Sequence, residues 1–166
     1  MLIIEDGTGV PGAESYATAA ELVIYAGKFG VAIPAEEAAQ EAVLRRAALV
    51  MDGMNWKGRK SSGDQALSWP RREIRLDGEN KPERYLPARI QYGQMALAAE
   101  IHADDIDPID KRQGAVTKEK VDGAVEREYA TISNTSKRLL PAAPDRPSAT
   151  QFADYLQRRG LFAVRA

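Results

Sequence analysis

The sequence predicts a mainly α-helical fold: a small helical bundle with a long ordered loop, a projecting β-hairpin and a C-terminal arm. Three observations carry that expectation. Apolar residues recur at spacings of three and four in separate segments, as helices that bury one stripe require. The stretch from Asn55 to Pro87 is rich in Gly, Ser and Pro and keeps no period. Around Asp122-Gly123 the period becomes two, and Asp-Gly is a preferred hairpin turn. Residues 1–130 read as the helical core with its hairpin, 131–147 as a Pro-rich linker and 148–166 as a docking arm.

The first element is an arm and a turn. Gly7, Gly9 and Gly12 spell G-x-G-x-x-G. A dinucleotide loop of that form needs a buried strand before it and a helix starting on its last glycine, so that phosphate meets free N–H groups. Only Leu2, Ile3 and Ile4 precede it, Pro11 removes a donor, and no strand ending in an acid follows at the required distance. The glycines therefore mark a turn. Glu5 and Asp6 stand where a signal peptide would be basic.

Thr18-Ala-Ala-Glu21 is a capping box, and a helix over 19–29 should stop at Gly30. Pro34 sits at a favourable first helical position, and Glu36 and Glu37 suit a helix start. Ala39, Val43, Ala47, Val50 and Met54 then predict a helix over 35–54. The segment 55–86 reads as a long loop with a helical turn at Asp64–Leu67, anchored by Trp56, Leu67 and Trp69. Pro87 opens a helix over 87–104 that is apolar on much of its circumference and so lies between neighbours. A hairpin spans 115–130, in which Glu126 and Glu128 face Lys118 and Lys120. Ser148 and Gln151 form a second capping box, opening a helix over 149–158 that ends at Gly160, and "LFAVRA" is an apolar tail.

Composition removes several chemistries. The chain of 166 residues has no cysteine, which excludes thiol catalysis, disulfides and thiolate-bound zinc. His102 is the lone histidine, so a Ser-His-Asp triad could be built only around it; mid-to-late in an apolar helix, it reads as structural. Asp104, Asp105, Asp107 and Asp110 lack the glycine and glutamate of a calcium loop and read as a solvated helix stop. No metal, cofactor or membrane span is expected, and no enzyme activity.

Charge is uneven although the net is −1. Residues 1–43 carry seven acids against one lysine, and residues 44–72 carry seven bases against two acids. Lys57, Arg59, Lys60, Arg71 and Arg72 lie beside Trp56 and Trp69. Bases interleaved with indoles suit single-stranded nucleic acid, with cations on phosphates and rings on bases. The competing reading buries both tryptophans as loop anchors and leaves the bases to solvent, a neighbouring copy or a DNA channel.

Three stretches resemble one family of tailed phages: the opening "MLIIEDGTGVPGAESY", the central "NWKGRKSSGDQALSWPR" and the hairpin "GAVTKEKVDGAVEREYA". The resemblance covers most of residues 1–130, and its central motif is the most specific part. The family carries two labels: head-to-tail connector or adaptor, and DnaT-like single-stranded-DNA-binding protein. The adaptor label implies a ring of copies, usually dodecameric, beneath the portal in the virion neck. Its partners would be the portal, a tail-side neck or terminator protein, and genomic DNA passing without sequence readout. The resemblance implies that Trp56, Gln65, Leu67, Trp69 and Pro70 pack the loop onto the helices. Lys57, Arg59, Lys60, Arg71 and Arg72 would face DNA or another subunit. The hairpin residues Lys118, Lys120, Asp122, Gly123 and Glu126 would touch a neighbour. Phe152, Tyr155, Leu156, Leu161, Phe162 and Arg165 would dock on the portal. Val23, Ile24 and Tyr25 depart from the family's alanine- and aspartate-rich first helix.

Overall fold

A computed structural model describes residues 1–106, 116–122, 124–129 and 146–157. Four helices dominate: α1 (Ala19–Phe29), α2 (Glu37–Asp52), α3 (Ala88–Ile106) and α4 (Pro147–Phe152). Short strands β1 (Arg59–Lys60) and β2 (Arg71–Arg72) pair antiparallel, as do β3 (Arg75–Leu76) and β4 (Glu79–Asn80). The hairpin is β5 (Val116–Asp122) with β6 (Ala124–Tyr129). The mainly α expectation holds, and no helix among the described residues is long and apolar enough to cross a membrane.

The capping chemistry sets α1. The Thr18 hydroxyl accepts the Glu21 N–H at 3.1 Å, and the Glu21 carboxylate accepts the Thr18 N–H at 2.7 Å. Gly30 ends the helix at φ 65°, a left-handed conformation that glycine adopts without strain. α2 lacks a side-chain cap, but the buried Gln40 amide donates to the Pro34 carbonyl at 2.9 Å and ties down its lead-in. Its stripe of Val43, Leu44, Ala47, Ala48 and Met51 is buried.

α3 is the central element and touches α1, α2 and α4. Every residue from Gly93 to Ala99 is buried, which explains why its sequence is apolar nearly all round. Gln94 is the polar exception. It is fully buried, accepts the Tyr16 N–H at 2.8 Å, and donates to Ser15 Oγ at 2.9 Å and to the Leu44 carbonyl at 3.0 Å. One amide thus joins the N-terminal arm, α2 and α3.

α4 differs from expectation. It spans Pro147–Phe152, and Arg146 rather than a serine hydroxyl precedes it. Ser148 instead gives its N–H and its hydroxyl to the Glu100 carboxylate of α3, at 2.9 and 2.7 Å. An acid from the neighbouring helix satisfies the free donor, so the Ser148–Gln151 box is not formed.

The C-terminal arm is also corrected in part. Phe152 and Tyr155 are core residues of their own chain, at 1% and 5% exposure. Residues 155–157 run beside 55–57: Lys57 N–H donates to the Tyr155 carbonyl at 2.8 Å and Gln157 N–H to the Asn55 carbonyl at 2.9 Å. The boundary at residue 148 therefore cuts through the packed body. Leu161, Phe162 and Arg165 lie outside the described residues, as does most of the 131–147 linker.

The hairpin register differs by one residue from a two-residue Asp122-Gly123 turn. Lys118 stands opposite Glu128, Glu119 opposite Arg127, Lys120 opposite Glu126, and Asp122 opposite Ala124. The expected facing of Lys118 and Lys120 by Glu126 and Glu128 is thus found, whereas a two-residue turn would have set Lys118 against Arg127 and Glu119 against Glu126. Opposed like charges are unfavourable, and the observed register replaces each with an opposite pair. Gly123 lies outside the described residues.

Candidate functional site

The loop 55–86 is the part of the chain where bases and aromatics meet. Trp56 and Trp69 are 3% and 0% exposed. Their rings meet edge to face at 5.6 Å. Phe152 closes on Trp56 at 5.2 Å, and Tyr155 on Trp69 at 5.6 Å, both nearly perpendicular. Trp56 Nε1 donates to the Met51 carbonyl at 2.7 Å. Trp69 donates its backbone N–H to the Tyr16 hydroxyl at 3.0 Å and precedes a cis peptide bond to Pro70. Burial pushes the Tyr16 phenol far above its ordinary value. The anchoring reading of the indoles describes these positions, and no face of either ring is open to stack on a base.

Between the tryptophans, side chains replace regular structure. No helical turn forms at Asp64–Leu67; the buried Gln65 folds the segment instead. Its Nε2 donates to the carbonyls of Leu67 and Pro70 at 2.9 and 3.0 Å, and its Oε1 accepts the Ser62 N–H at 2.9 Å. Arg71 spreads its fork over the carbonyls of Lys57, Ser68 and Gly58 at 2.7, 3.0 and 2.8 Å. Burial lowers the Arg71 guanidinium from its ordinary value. Gly58 has φ 70°, and a β-carbon there would overlap the Arg72 carbonyl. Within W-K-G-R and Q-A-L-x-W-P-R, Trp56, Gly58, Gln65, Leu67, Trp69, Pro70 and Arg71 therefore each have a packing or hydrogen-bonding reason.

The other bases divide. Lys57 donates to the Asp154 carbonyl at 2.6 Å, Lys60 to the Ala66 carbonyl at 3.4 Å, and Arg59 pairs with Glu73 at 3.3 Å. Arg59, Lys60 and Arg72 are exposed. The register sets Arg59 opposite Arg72 and Lys60 opposite Arg71, so like charges face each other on β1 and β2. The ladder tolerates this because Arg71 turns to carbonyls and Arg59 to an acid.

The glycine-rich turn has its own anion. The fully buried Glu5 carboxylate accepts the N–H groups of Gly7, Gly9 and Val10 at 2.8, 2.8 and 2.7 Å. Donors that a phosphate loop would offer to a ligand are occupied by the chain itself. Among the aspartates, Asp104 is held by Arg146 at 2.9 Å and Asp105 by Arg46 at 3.0 Å. His102 is partly buried on α3. Asp107 and Asp110 lie outside the described residues, and no cluster of three metal-ligating side chains occurs among those described.

A family model described as "Putative DnaT-like ssDNA binding protein" matches residues 1–165. The chain belongs to this family. Membership in the DnaT-like family spans the arm, the loop, the hairpin and α4 together, so the central motif is one part of a whole-chain pattern. No curated protein and no solved structure matches the chain.

Sequence reasoning missed Glu5, Gln94 and Glu100 as organising groups. A lone glutamine in the apolar run of α3 was a readable signal. The three donors gathered on Glu5 were not, because they depend on how the turn closes.

Proposed function

We propose that this DnaT-like family member is a non-catalytic assembly subunit, a head-to-tail adaptor whose copies form a dodecameric ring between portal and tail in the virion neck. DNA would pass through the ring without sequence readout. The observation that carries the proposal is the exposure of large apolar side chains on α1. Val23, Ile24 and Phe29 are 48%, 56% and 56% exposed, and Phe29 stacks beside Tyr25 at 4.4 Å. Large apolar side chains left exposed along one short helix suit a protein neighbour. Val23 and Ile24 are also among the residues by which the first helix departs from the phage pattern, so the contact would be particular to this chain. The test is sedimentation and electron microscopy of the full chain alone and with portal. Rings or portal-bound complexes that dissolve in Ile24→Glu/Phe29→Glu support the reading. A chain that stays monomeric alone and with portal overturns it.

The family description favours a second reading, single-stranded-DNA binding. One feature of the fold agrees with it: the like-charged ladder of β1 and β2, with Lys60 and Arg72 facing outward. Such a site would hold backbone phosphates rather than stack bases. Its binding would fall steeply with salt, and Lys60→Glu/Arg72→Glu would lower the salt slope by about 2, one for each lost phosphate contact. Oligonucleotide binding unaffected by that variant removes this reading.

A further inference from the structure

Among the described residues β5 pairs with β6 and with no third strand, so each presents an edge that a further strand can take. A two-stranded ribbon alone is marginal in water. Its charges are ordered by strand: the central residues read Lys118-Glu119-Lys120 on β5 and Glu126-Arg127-Glu128 on β6.

That order discriminates between ways of adding a strand. Suppose β6 of one copy lies antiparallel beside the open edge of β5 of the next, in the register found within the hairpin. Every junction then repeats Lys118 against Glu128, Glu119 against Arg127 and Lys120 against Glu126. Two-fold pairings do worse: even β5 on β5 centred on Lys120, which sets Lys118 against Asp122 twice, opposes Lys120 to itself. β5 on β5 centred on Glu119 sets Lys118 against Lys120 and Glu119 against itself. β6 on β6 centred on Arg127 sets Glu126 against Glu128. Opposite charges directly across a ladder stabilise and like charges destabilise. The pattern therefore selects a head-to-tail contact, which generates a closed ring or an open filament, over a two-fold dimer.

We propose that the hairpin is a self-pairing ribbon: the β6 edge of one copy joins the β5 edge of a second copy of this chain, with Lys118, Glu119 and Lys120 meeting Glu128, Arg127 and Glu126. This rests on the copy-to-copy association proposed above and names one contact that makes it.

The absence of cysteine makes the test clean. Full-length Lys118→Cys and Glu128→Cys chains are mixed, oxidised mildly and run on a non-reducing gel. The expected result is a disulfide-linked dimer in the mixture and none in either variant alone. In parallel, a chain with the charges exchanged (K118E/K120E/E126K/E128K) keeps every pair within its own hairpin. It should associate with itself yet be depleted about tenfold from wild-type assemblies, because each mixed junction opposes two like-charged pairs. If assemblies form but the exchanged chain mixes freely and no disulfide appears, the ribbon is wrong and the ring reading stands. If the wild-type chain shows no association and the Lys118→Cys/Glu128→Cys mixture forms no disulfide, both fall.

Discussion

Gly93 of α3 lies against the Phe152 ring so closely that a β-carbon at residue 93 would overlap its carbons. The missing side chain is what lets α4 seat on α3. Gly93→Ala should therefore destabilise the chain by about 1–3 kcal/mol, the usual cost of overpacking a close contact, despite better helix propensity. Urea unfolding followed by tryptophan fluorescence would read it, since Phe152 abuts Trp56. An unchanged midpoint would mean that α4 does not need the notch.

Glu5→Ala should cost about 1–3 kcal/mol for each backbone donor left dry, and three N–H groups are at stake. Hydrogen exchange at Gly7, Gly9 and Val10 should quicken before the rest of the chain is affected. Glu5→Gln, which keeps one acceptor oxygen, should fall between wild type and alanine. Equal exchange in all three proteins would show that the carboxylate does not hold the turn.

Gln94→Leu has nearly the same volume but leaves the Tyr16 N–H and the Leu44 carbonyl without their partner. A loss of about 1–3 kcal/mol is expected, against near neutrality if shape alone mattered. Calorimetric melting of the two proteins separates these outcomes.

Alkaline stability has a defined window. Burial pushes the Tyr155 phenol up from its ordinary 10.0 to about 12, and Tyr16 moves the same way. The fold favours the protonated form of both. The Tyr155 contribution is whole below pH 10 and is lost as pH rises through about 12, because the unfolded chain ionises first. In the difference between wild type and Tyr155→Phe, phenolate absorbance and loss of circular dichroism should appear together in that window; a Tyr155 phenolate at pH 10 with the fold intact would contradict the burial. At the acid end the hydrogen bonds from Arg45 and Arg46 hold Glu14 and Asp105 below their ordinary values. Those contributions are present above the ordinary carboxylate range and fade as pH falls through the lowered values. Both pairs are exposed, so salt should mask them.

How far the sequence could be read depended on the range of the interactions. The Thr18–Glu21 box and Gly30 are local signals, and α1 begins and ends where they place it. The α2 and α3 periods are likewise local, and their ends moved by two residues at most. Long-range chemistry was not legible. Ser148 and Gln151 have the spacing of a cap, but Glu100, 48 residues away, competes and wins. The Asp122-Gly123 pair favours one turn, while charge pairing along the strands favours another. At the candidate site, Trp56 and Trp69 could be named from the sequence. That Phe152 and Tyr155 would cover them could not, since no local pattern links residue 56 to residue 152.

The closure of the aromatic cluster also sets a timetable for synthesis. Lys57 and Asp154, joined beside the covered indoles, are 97 residues apart in the chain. At about 5–20 residues per second, the ribosome needs roughly 5–20 s to make the covering segment after the tryptophans have emerged. Throughout that interval two large indoles wait uncovered on a nascent chain, a natural target for trigger-type holdases. A transcript cut short before codon 152 would yield a product that never hides them, and cellular proteases could recognise the defect at once.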